Sequence, residues 1–235
     1  MPVNNIETIK ALVTAPRRAF EAIAEKPRWL FPLLVLLLPT LVVLVWYYLT
    51  VDLAWIIDEQ MRTNPRMANL TEEQRAQVAQ FSSRGTLTVT SAIAACVLVL
   101  LFRVLEATWY LLAGKVTNVN RSFRQWFALA NWTSLPGVLA VIPAVLSLLL
   151  ADTDQMDPGV LQPLSLNELF FHRGIGESGY QLLSSVGLLQ VLGAALAIIG
   201  VHTWSRRSWL HAAVIVLLPV GLILGPWAYF SLGRA

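Results

Sequence analysis

The stretch VLVLLFRVLEATWYLLAGKV, which runs from Val97 to Val116, decides the class of fold. It is long enough to cross a bilayer as a helix, which requires about 20 apolar residues, yet it contains Arg103 and Glu106. The rest of the chain has the same character, since 56% of its 235 residues are hydrophobic and 13% are charged. A soluble domain has about a quarter of its residues charged. We therefore predict an integral membrane protein.

Five apolar runs are long enough to span a bilayer. They cover residues 29–50, 87–112, 127–150, 180–202 and 209–232. None shows the short alternating segments from which a membrane β-barrel is built. The predicted fold is an all-α integral membrane protein, a bundle of five transmembrane helices. Residues 29–235 form its membrane domain, and residues 1–28 form an amphipathic cytoplasmic helical segment.

Basic residues are concentrated in three of the segments that flank the predicted spans. Ten of them lie before the first span, after the second or after the fourth: Lys10, Arg17, Arg18, Lys26, Arg28, Lys115, Arg121, Arg124, Arg206 and Arg207. These segments carry three acidic residues, whereas the opposite segments carry six basic and ten acidic residues. Because short cytoplasmic segments are rich in Lys and Arg, we expect a cytoplasmic N-terminus and an outside C-terminus.

This orientation places Arg103 and Glu106 toward the cytoplasmic end of the second span. Their i, i+3 spacing puts both side chains on one face of the helix, where each can neutralise the other. Charges inside a span are candidates for a functional site, but a long side chain near an interface can also reach water. We predict a structural ion pair, in contact with the loop from Lys115 to Arg124.

The segment before the first span is predicted to form two short helices. Asn5 is the expected N-cap of the first helix, and Pro16 suits the first turn of the second. Phe20 and Ile23 then share one side of the second helix. The segment is predicted either to dock a cytosolic partner or to lie on anionic lipid. The candidate partner- or lipid-binding residues are Arg17, Arg18, Phe20, Ile23, Lys26 and Trp29.

Two stretches carry a resemblance to a known family. They are APRRAFEAIAEKPRWLFPLLVLLL, residues 15–38, and GKVTNVNRSFRQWFALANWTSLPGVL, residues 114–139. The first contains Pro16, Phe20, Ile23, Pro27, Trp29 and Pro32, and the second has Gly114, Phe123 and Pro136 where the family typically has Gly, Phe and Pro. With five spans and a cytoplasmic N-terminus, the chain resembles bacterial members of the Yip (Ypt-interacting protein) family.

This resemblance implies a noncatalytic, multi-pass membrane protein. Eukaryotic members of the family associate with Rab/Ypt-type GTPases in early secretory traffic. Because 28 residues precede the first predicted span, fewer than in those members, we do not extend the GTPase association to this chain. For bacterial members the resemblance implies a membrane location, and the expected location of this chain is a bacterial inner membrane.

Small and polar residues within the spans predict how the helices pack. Gly221 and Gly225 form a GxxxG motif, for which we favour packing within the monomer over packing between copies. Gly193 and Gly200 offer a second set of small residues. Asn131 and Thr133 are expected to form hydrogen bonds between helices. Helix bends are expected at four prolines: Pro136, Pro143, Pro219 and Pro226.

A catalytic serine is the one enzymatic alternative that the sequence offers. Gly176 to Gly179 match the GxSG motif of rhomboid intramembrane proteases, but the predicted topology places Ser178 across the membrane from His202 and His211. A general base must approach to about 3 Å, so we predict no enzyme. We also predict no metal site, because the three histidines are scattered along the chain and there is one cysteine. No cofactor is expected.

The predicted function is that of a noncatalytic membrane scaffold or adaptor for protein partners or lipids. A transporter for small molecules or lipids is the alternative, although no inverted repeat or midplane carboxylate supports it. An intramembrane serine protease is a remote alternative. The expected partners are the lipid bilayer and a cytosolic or membrane protein, self-association stays open, and no nucleic acid partner is expected.

Overall fold

A computed structural model describes residues 4–63, 70–71, 73–74, 77 and 83–232. Within these ranges the chain is predominantly helical, and the only pairing of extended backbone is an isolated β-bridge between Ser165 and Gly187. The ten α-helices of these ranges are α1 (Asn5–Thr14), α2 (Pro16–Glu25), α3 (Leu30–Thr50), α4 (Leu53–Thr63), α5 (Arg84–Val116), α6 (Phe123–Thr133), α7 (Val141–Leu149), α8 (Tyr180–Ser185), α9 (Leu188–Ser205) and α10 (Trp209–Leu232). The α1 N-cap is Asn4 and not Asn5, because the Asn4 side chain accepts a hydrogen bond from the Glu7 amide at 2.9 Å.

Five helical segments are long and apolar enough to cross a membrane. They are Leu30–Thr50, Arg84–Val116, Phe123–Leu149, Leu188–Ser205 and Trp209–Leu232. Most of their exposed residues are apolar, as expected of residues that face a membrane; in α3 they include Leu34, Leu38 and Val42. The predicted fold class, an all-α membrane bundle with five spans, is therefore confirmed.

Prolines affect the spans unequally. In the third span α6 ends at Thr133, and a 3₁₀ helix, Leu135–Ala140, precedes α7. Pro136 accounts for this break, since it has no N–H to continue the ladder of helical hydrogen bonds. Pro219 and Pro226 lie inside α10, which continues as one helix through both.

The fourth span begins later than the sequence pattern predicted. Tyr180 starts the short helix α8, and the chain is extended at Val186. There the Leu166 amide donates to the Val186 carbonyl at 2.7 Å, and the Leu188 amide donates to the Leu164 carbonyl at 3.0 Å. This pairing separates α8 from α9, although the apolar content of the two segments predicts a single span.

Two compact units can be distinguished. Unit 1 contains the residues up to Leu38 together with Leu98–Val138 and Leu189–Gly225, and unit 2 contains Pro39–Val97, Leu139–Leu188 and the residues from Pro226 onward. The core of unit 1 is rich in aromatic side chains; its largest fully buried members include Trp126, Trp132 and Phe20.

Unit 2 has a smaller core around Tyr47, Val51, Ile56 and Met156. The Tyr47 hydroxyl donates to the Met156 carbonyl at 2.9 Å. This contact ties the end of α3 to the segment that follows α7.

Candidate functional site

The helix α2 packs its apolar face into the core of unit 1. Phe20 is 0% exposed and Ile23 is 2% exposed. A Cβ atom added to Gly200 would lie 3.1 Å from the Phe20 ring and 2.9 Å from the Leu129 side chain, so α9 approaches both α2 and α6 closely. Phe20 and Ile23 were predicted to bind a partner or lipid, but in this structure they are occupied by contacts with the protein itself.

Three side chains also donate hydrogen bonds to backbone carbonyl groups of α2 and of the linker that follows it. Trp204 Nε1 donates to the Phe20 carbonyl at 2.9 Å, and Gln125 Nε2 donates to the Ala24 carbonyl at 2.7 Å. Trp132 Nε1 donates to the Arg28 carbonyl at 2.7 Å. We refer to these as the three carbonyl contacts. Their acceptors are spaced four residues apart, so they fix one side of the N-terminal segment against α6 and α9.

The remaining candidate residues of this segment lie on its surface. Arg17, Arg18 and Lys26 are exposed. Trp29 is half-buried, and its ring meets that of Phe127 edge-on with the ring centres 5.3 Å apart. The surface of α2 therefore displays charged groups, whereas its apolar residues face inward.

The surface of α1 differs from that of α2 because it exposes apolar side chains. Ile6 is 63% exposed and Val13 is 82% exposed, and Lys10 is exposed between them. Their spacing of i, i+4 and i+7 places all three on one face of the helix. We refer to Ile6, Lys10 and Val13 as the α1 face. The sequence pattern indicated an amphipathic helix here but did not reveal that these residues stay uncovered.

The three basic segments that are predicted to be cytoplasmic meet at one end of unit 1. The Arg207 guanidinium donates to the Thr117 carbonyl at 2.8 Å, which joins the α9–α10 turn to the α5–α6 turn. Arg121 lies over the Trp204 ring, and Arg17 lies over the Trp209 ring, each 5.5 Å from the ring centre. The N-terminal helices and both turns thus form one basic surface.

Arg103 and Glu106 belong to a polar network inside unit 1. Arg103 Nη1 lies 2.8 Å from Glu106 Oε2 and donates to the Ala130 carbonyl at 3.0 Å. The Tyr110 hydroxyl donates to Glu106 Oε1 at 2.9 Å. The pair is therefore formed as the spacing predicts. The observed partner outside α5 is Ala130 in α6, whereas contact with the loop from Lys115 to Arg124 was expected.

The contact with Ala130 has a clear physical cause. Ala130 lies in the last turn of α6, where carbonyl groups lose their helical partners, and Pro136 prevents the helix from continuing normally. A cation at the C-terminal end of a helix is favourable because the ends of the carbonyl dipoles are negative there. Arg103 therefore serves as a cap for the broken third span.

Asn131 and Thr133 form no hydrogen bond to another helix among the described residues. The Asn131 amide donates to the Phe127 carbonyl at 2.8 Å, and the Thr133 hydroxyl donates to the Ala130 carbonyl at 3.2 Å, both within α6. Asn131 Oδ1 is buried without a partner. The predicted interhelical bonds are thus replaced by bonds within one helix, because the end of α6 offers nearby carbonyl groups.

The two glycine sets differ from each other. A Cβ atom added to Gly221 or Gly225 would meet no atom of the described residues within 4 Å, and both residues are exposed. A Cβ atom at Gly193 would lie 3.0 Å from the Thr133 carbonyl oxygen. The close packing inside unit 1 therefore uses Gly193 and Gly200, and the expected packing of the GxxxG motif within the monomer is not observed.

The residues of the protease alternative do not form a catalytic arrangement. The Ser178 hydroxyl donates to the Ser231 carbonyl and not to a histidine. Ser178 belongs to unit 2, whereas His202 and His211 belong to unit 1. His202 stacks on Trp209 with the ring centres 3.9 Å apart. In the part of the chain that the structure describes, no cluster of three or more His, Cys, Asp or Glu residues could hold a metal ion.

Comparison with known proteins identifies the family. The family model described as the Yip1 domain matches residues 10–230, which is nearly the whole chain. No curated protein and no solved structure matches the chain. The matched range begins in α1 and reaches into the last turns of α10, so it includes the N-terminal helices as well as the spans. The chain is a multi-pass membrane protein that belongs to the Yip1 domain family.

Proposed function

We propose that this protein is a noncatalytic scaffold that presents its N-terminal helices to a protein partner at the membrane surface. The observation that carries the proposal is the α1 face, in which Ile6 and Val13 remain largely exposed although the neighbouring helix α2 is firmly packed. Large exposed apolar side chains beside charged ones are typical of a binding surface. The proposal includes a bacterial inner membrane, with the N-terminal helices in the cytoplasm.

The firm attachment of α2 supports a docking role. A surface that is already ordered loses less conformational entropy on binding than a flexible tail does. The three carbonyl contacts and the burial of Phe20 supply this order for α2. The helix α1 is joined to α2 through Ala15 alone and buries Leu12 in the same core, so its exposed face has a defined position.

Photocrosslinking in intact membranes tests the proposal. A photoreactive amino acid at Val13 should capture a recurrent protein partner that mass spectrometry identifies. The same amino acid at Phe20 is the matched control, because this position faces the core of unit 1 and should give only crosslinks within the chain.

Two outcomes would contradict the proposal. If Val13 yielded only lipid adducts, the α1 face would be a membrane anchor. If Phe20 captured the same partner as Val13, α2 would have to leave the core to bind, and the ordered surface would not be the binding surface.

A further inference from the structure

A groove of about 430 Å³ lies beside the start of α2. It is lined by Ala15, Pro16, Arg17, Arg18, Ile199 and Trp209. All six residues belong to unit 1. The groove is distinct from the α1 face and from the polar network around Arg103.

Part of the groove lining is basic and suits a negative charge. Arg17 and Arg18 are exposed there, and neither guanidinium forms an ion pair with a carboxylate of the described residues. The α2 helix begins at Pro16 without a side-chain cap, so its N-terminal amides add positive potential at the same place. An anion in this position would meet two cations.

The rest of the lining suits an apolar chain, and the Arg17 guanidinium lies over one of its members, the Trp209 ring. Ile199 lies on α9 and Trp209 is the first residue of α10, and both helices are candidate spans. Tryptophan is frequent at the level of lipid headgroups, where its ring meets both water and hydrocarbon. A ligand that fills the groove therefore needs a charged head and a tail that continues along a span.

We propose that this groove binds one anionic phospholipid, with its phosphate at Arg17 and Arg18 and an acyl chain against Ile199 and Trp209. A soluble phosphate satisfies only the basic part of the lining, and a zwitterionic lipid brings its own cation to the two arginines. The inference goes beyond the proposed scaffold function and does not depend on a protein partner at the α1 face.

Native mass spectrometry of the full chain in detergent tests this site. Phosphatidylglycerol and phosphatidylcholine with identical acyl chains are titrated in parallel, and inorganic phosphate is added as a competitor. Because each basic residue near a lipid surface favours anionic lipid by about 1 kcal/mol, we expect phosphatidylglycerol to bind about tenfold more tightly or better. Inorganic phosphate at equal concentration should not displace it.

Charge-matched variants locate the binding site. Arg17→Gln with Arg18→Gln should abolish the preference for phosphatidylglycerol. Lys115→Gln with Arg124→Gln removes the same charge from exposed positions outside the groove and should retain it. Ile199→Trp, which adds bulk to the apolar part of the lining, should weaken binding while both arginines remain.

Three results would overturn the proposal. An equal loss of preference in both double variants would show general charge attraction. Unchanged binding by Ile199→Trp, with the variant still monodisperse, would exclude an acyl chain in the groove. Displacement by inorganic phosphate would identify a soluble anion site. None of these results bears on crosslinking from Val13, so failure here is separate from failure of the scaffold proposal.

Discussion

A single guanidinium joins two spans in unit 1. Arg103 is paired with Glu106 on its own helix and donates to the Ala130 carbonyl on α6. The side chains of the pair are 23% and 26% exposed, so they are partly shielded and their charges depend on each other. This explains why an apolar stretch carries two charges at this spacing.

Removing one charge should be worse than removing both. Arg103→Leu leaves the Glu106 carboxylate and the Ala130 carbonyl without their cation, and we expect a loss of about 2 kcal/mol in the free energy of unfolding, less than for a fully buried pair. Replacing both residues with Leu should cost less, because no unpaired charge remains. Unfolding by sodium dodecyl sulphate in mixed micelles measures both changes.

The pair formed by Glu59 and Arg62 is the matched control. It has the same i, i+3 spacing, but the Arg62 side chain is 68% exposed, and solvent screens the attraction in an exposed pair. Arg62→Leu should therefore have little effect on stability. If Arg103→Leu were equally harmless, its contact with Ala130 would not stabilise the third span.

Gly200 should tolerate substitution less well than Gly221. A Cβ atom at Gly200 would press on Leu129 and Phe20, whereas one at Gly221 would meet no atom within 4 Å. We expect Gly200→Val to cost about 1–3 kcal/mol through overpacking and to loosen α2. Gly221→Val should change stability by less than about 0.5 kcal/mol. The same unfolding titration compares the two variants. Equal losses of unfolding free energy would contradict the close packing around Gly200.

At the scale of elements, Gln125 connects two helices that are distant in sequence. Its amide and side chain form a capping box with Ser122 at the start of α6. Its Nε2 atom donates to the Ala24 carbonyl at the end of α2. One residue therefore both starts α6 and attaches α2 to it.

Gln125→Glu should separate these two roles. Glutamate also suits a capping box, but it cannot donate to the Ala24 carbonyl and brings a negative charge to the C-terminal end of α2, which is unfavourable. We expect faster hydrogen exchange in residues 16–26 and little change in α6, measured by mass spectrometry. Ser122→Ala is the control that should affect the start of α6. Equal exchange in both variants would exclude the attachment.

The sequence predicted the existence of the spans better than their interruptions. Length and apolar content are local properties, so five runs could be recognised directly. The separation of α8 from α9 depends on pairing between Ser165 and Gly187, which no local pattern reveals. The break at Pro136 was expected as a bend, but the capping of α6 by Arg103 requires knowing which spans are neighbours.

Prediction of the candidate site from the sequence has the same limit. Periodicity identified Phe20 and Ile23 as one apolar face, but it could not show whether lipid, a partner or the protein itself covers that face. Other members of the same core, such as Trp204 and Trp126, come from distant segments. The exposed α1 face was missed for the same reason, since exposure is known only after the core has formed.

At the scale of the whole molecule, charge predicts an orientation that can be measured. The basic segments meet in unit 1 through contacts such as Arg207 with Thr117, and they are expected on the cytoplasmic side. In a Cys96→Ala background, a cysteine at Arg18 should react with a membrane-impermeant maleimide only after cells are permeabilised. A cysteine at Asp152, an exposed residue of unit 2, should react in intact cells.

A cysteine at Arg124 serves as the control for this experiment, because it belongs to the same basic surface as Arg18 and should behave identically. Reaction of Arg18 and Arg124 cysteines in intact cells would reverse the predicted orientation. Reaction at only one of them would contradict the shared surface.

The side chains of Trp204, Gln125 and Trp132 donate hydrogen bonds to backbone carbonyl oxygens, which every amino acid provides. Exchanging the exposed residues of α2, such as Glu21 and Glu25, leaves these acceptors in place. Relatives are therefore free to diverge in the charges that α2 displays while the helix stays attached in the same way.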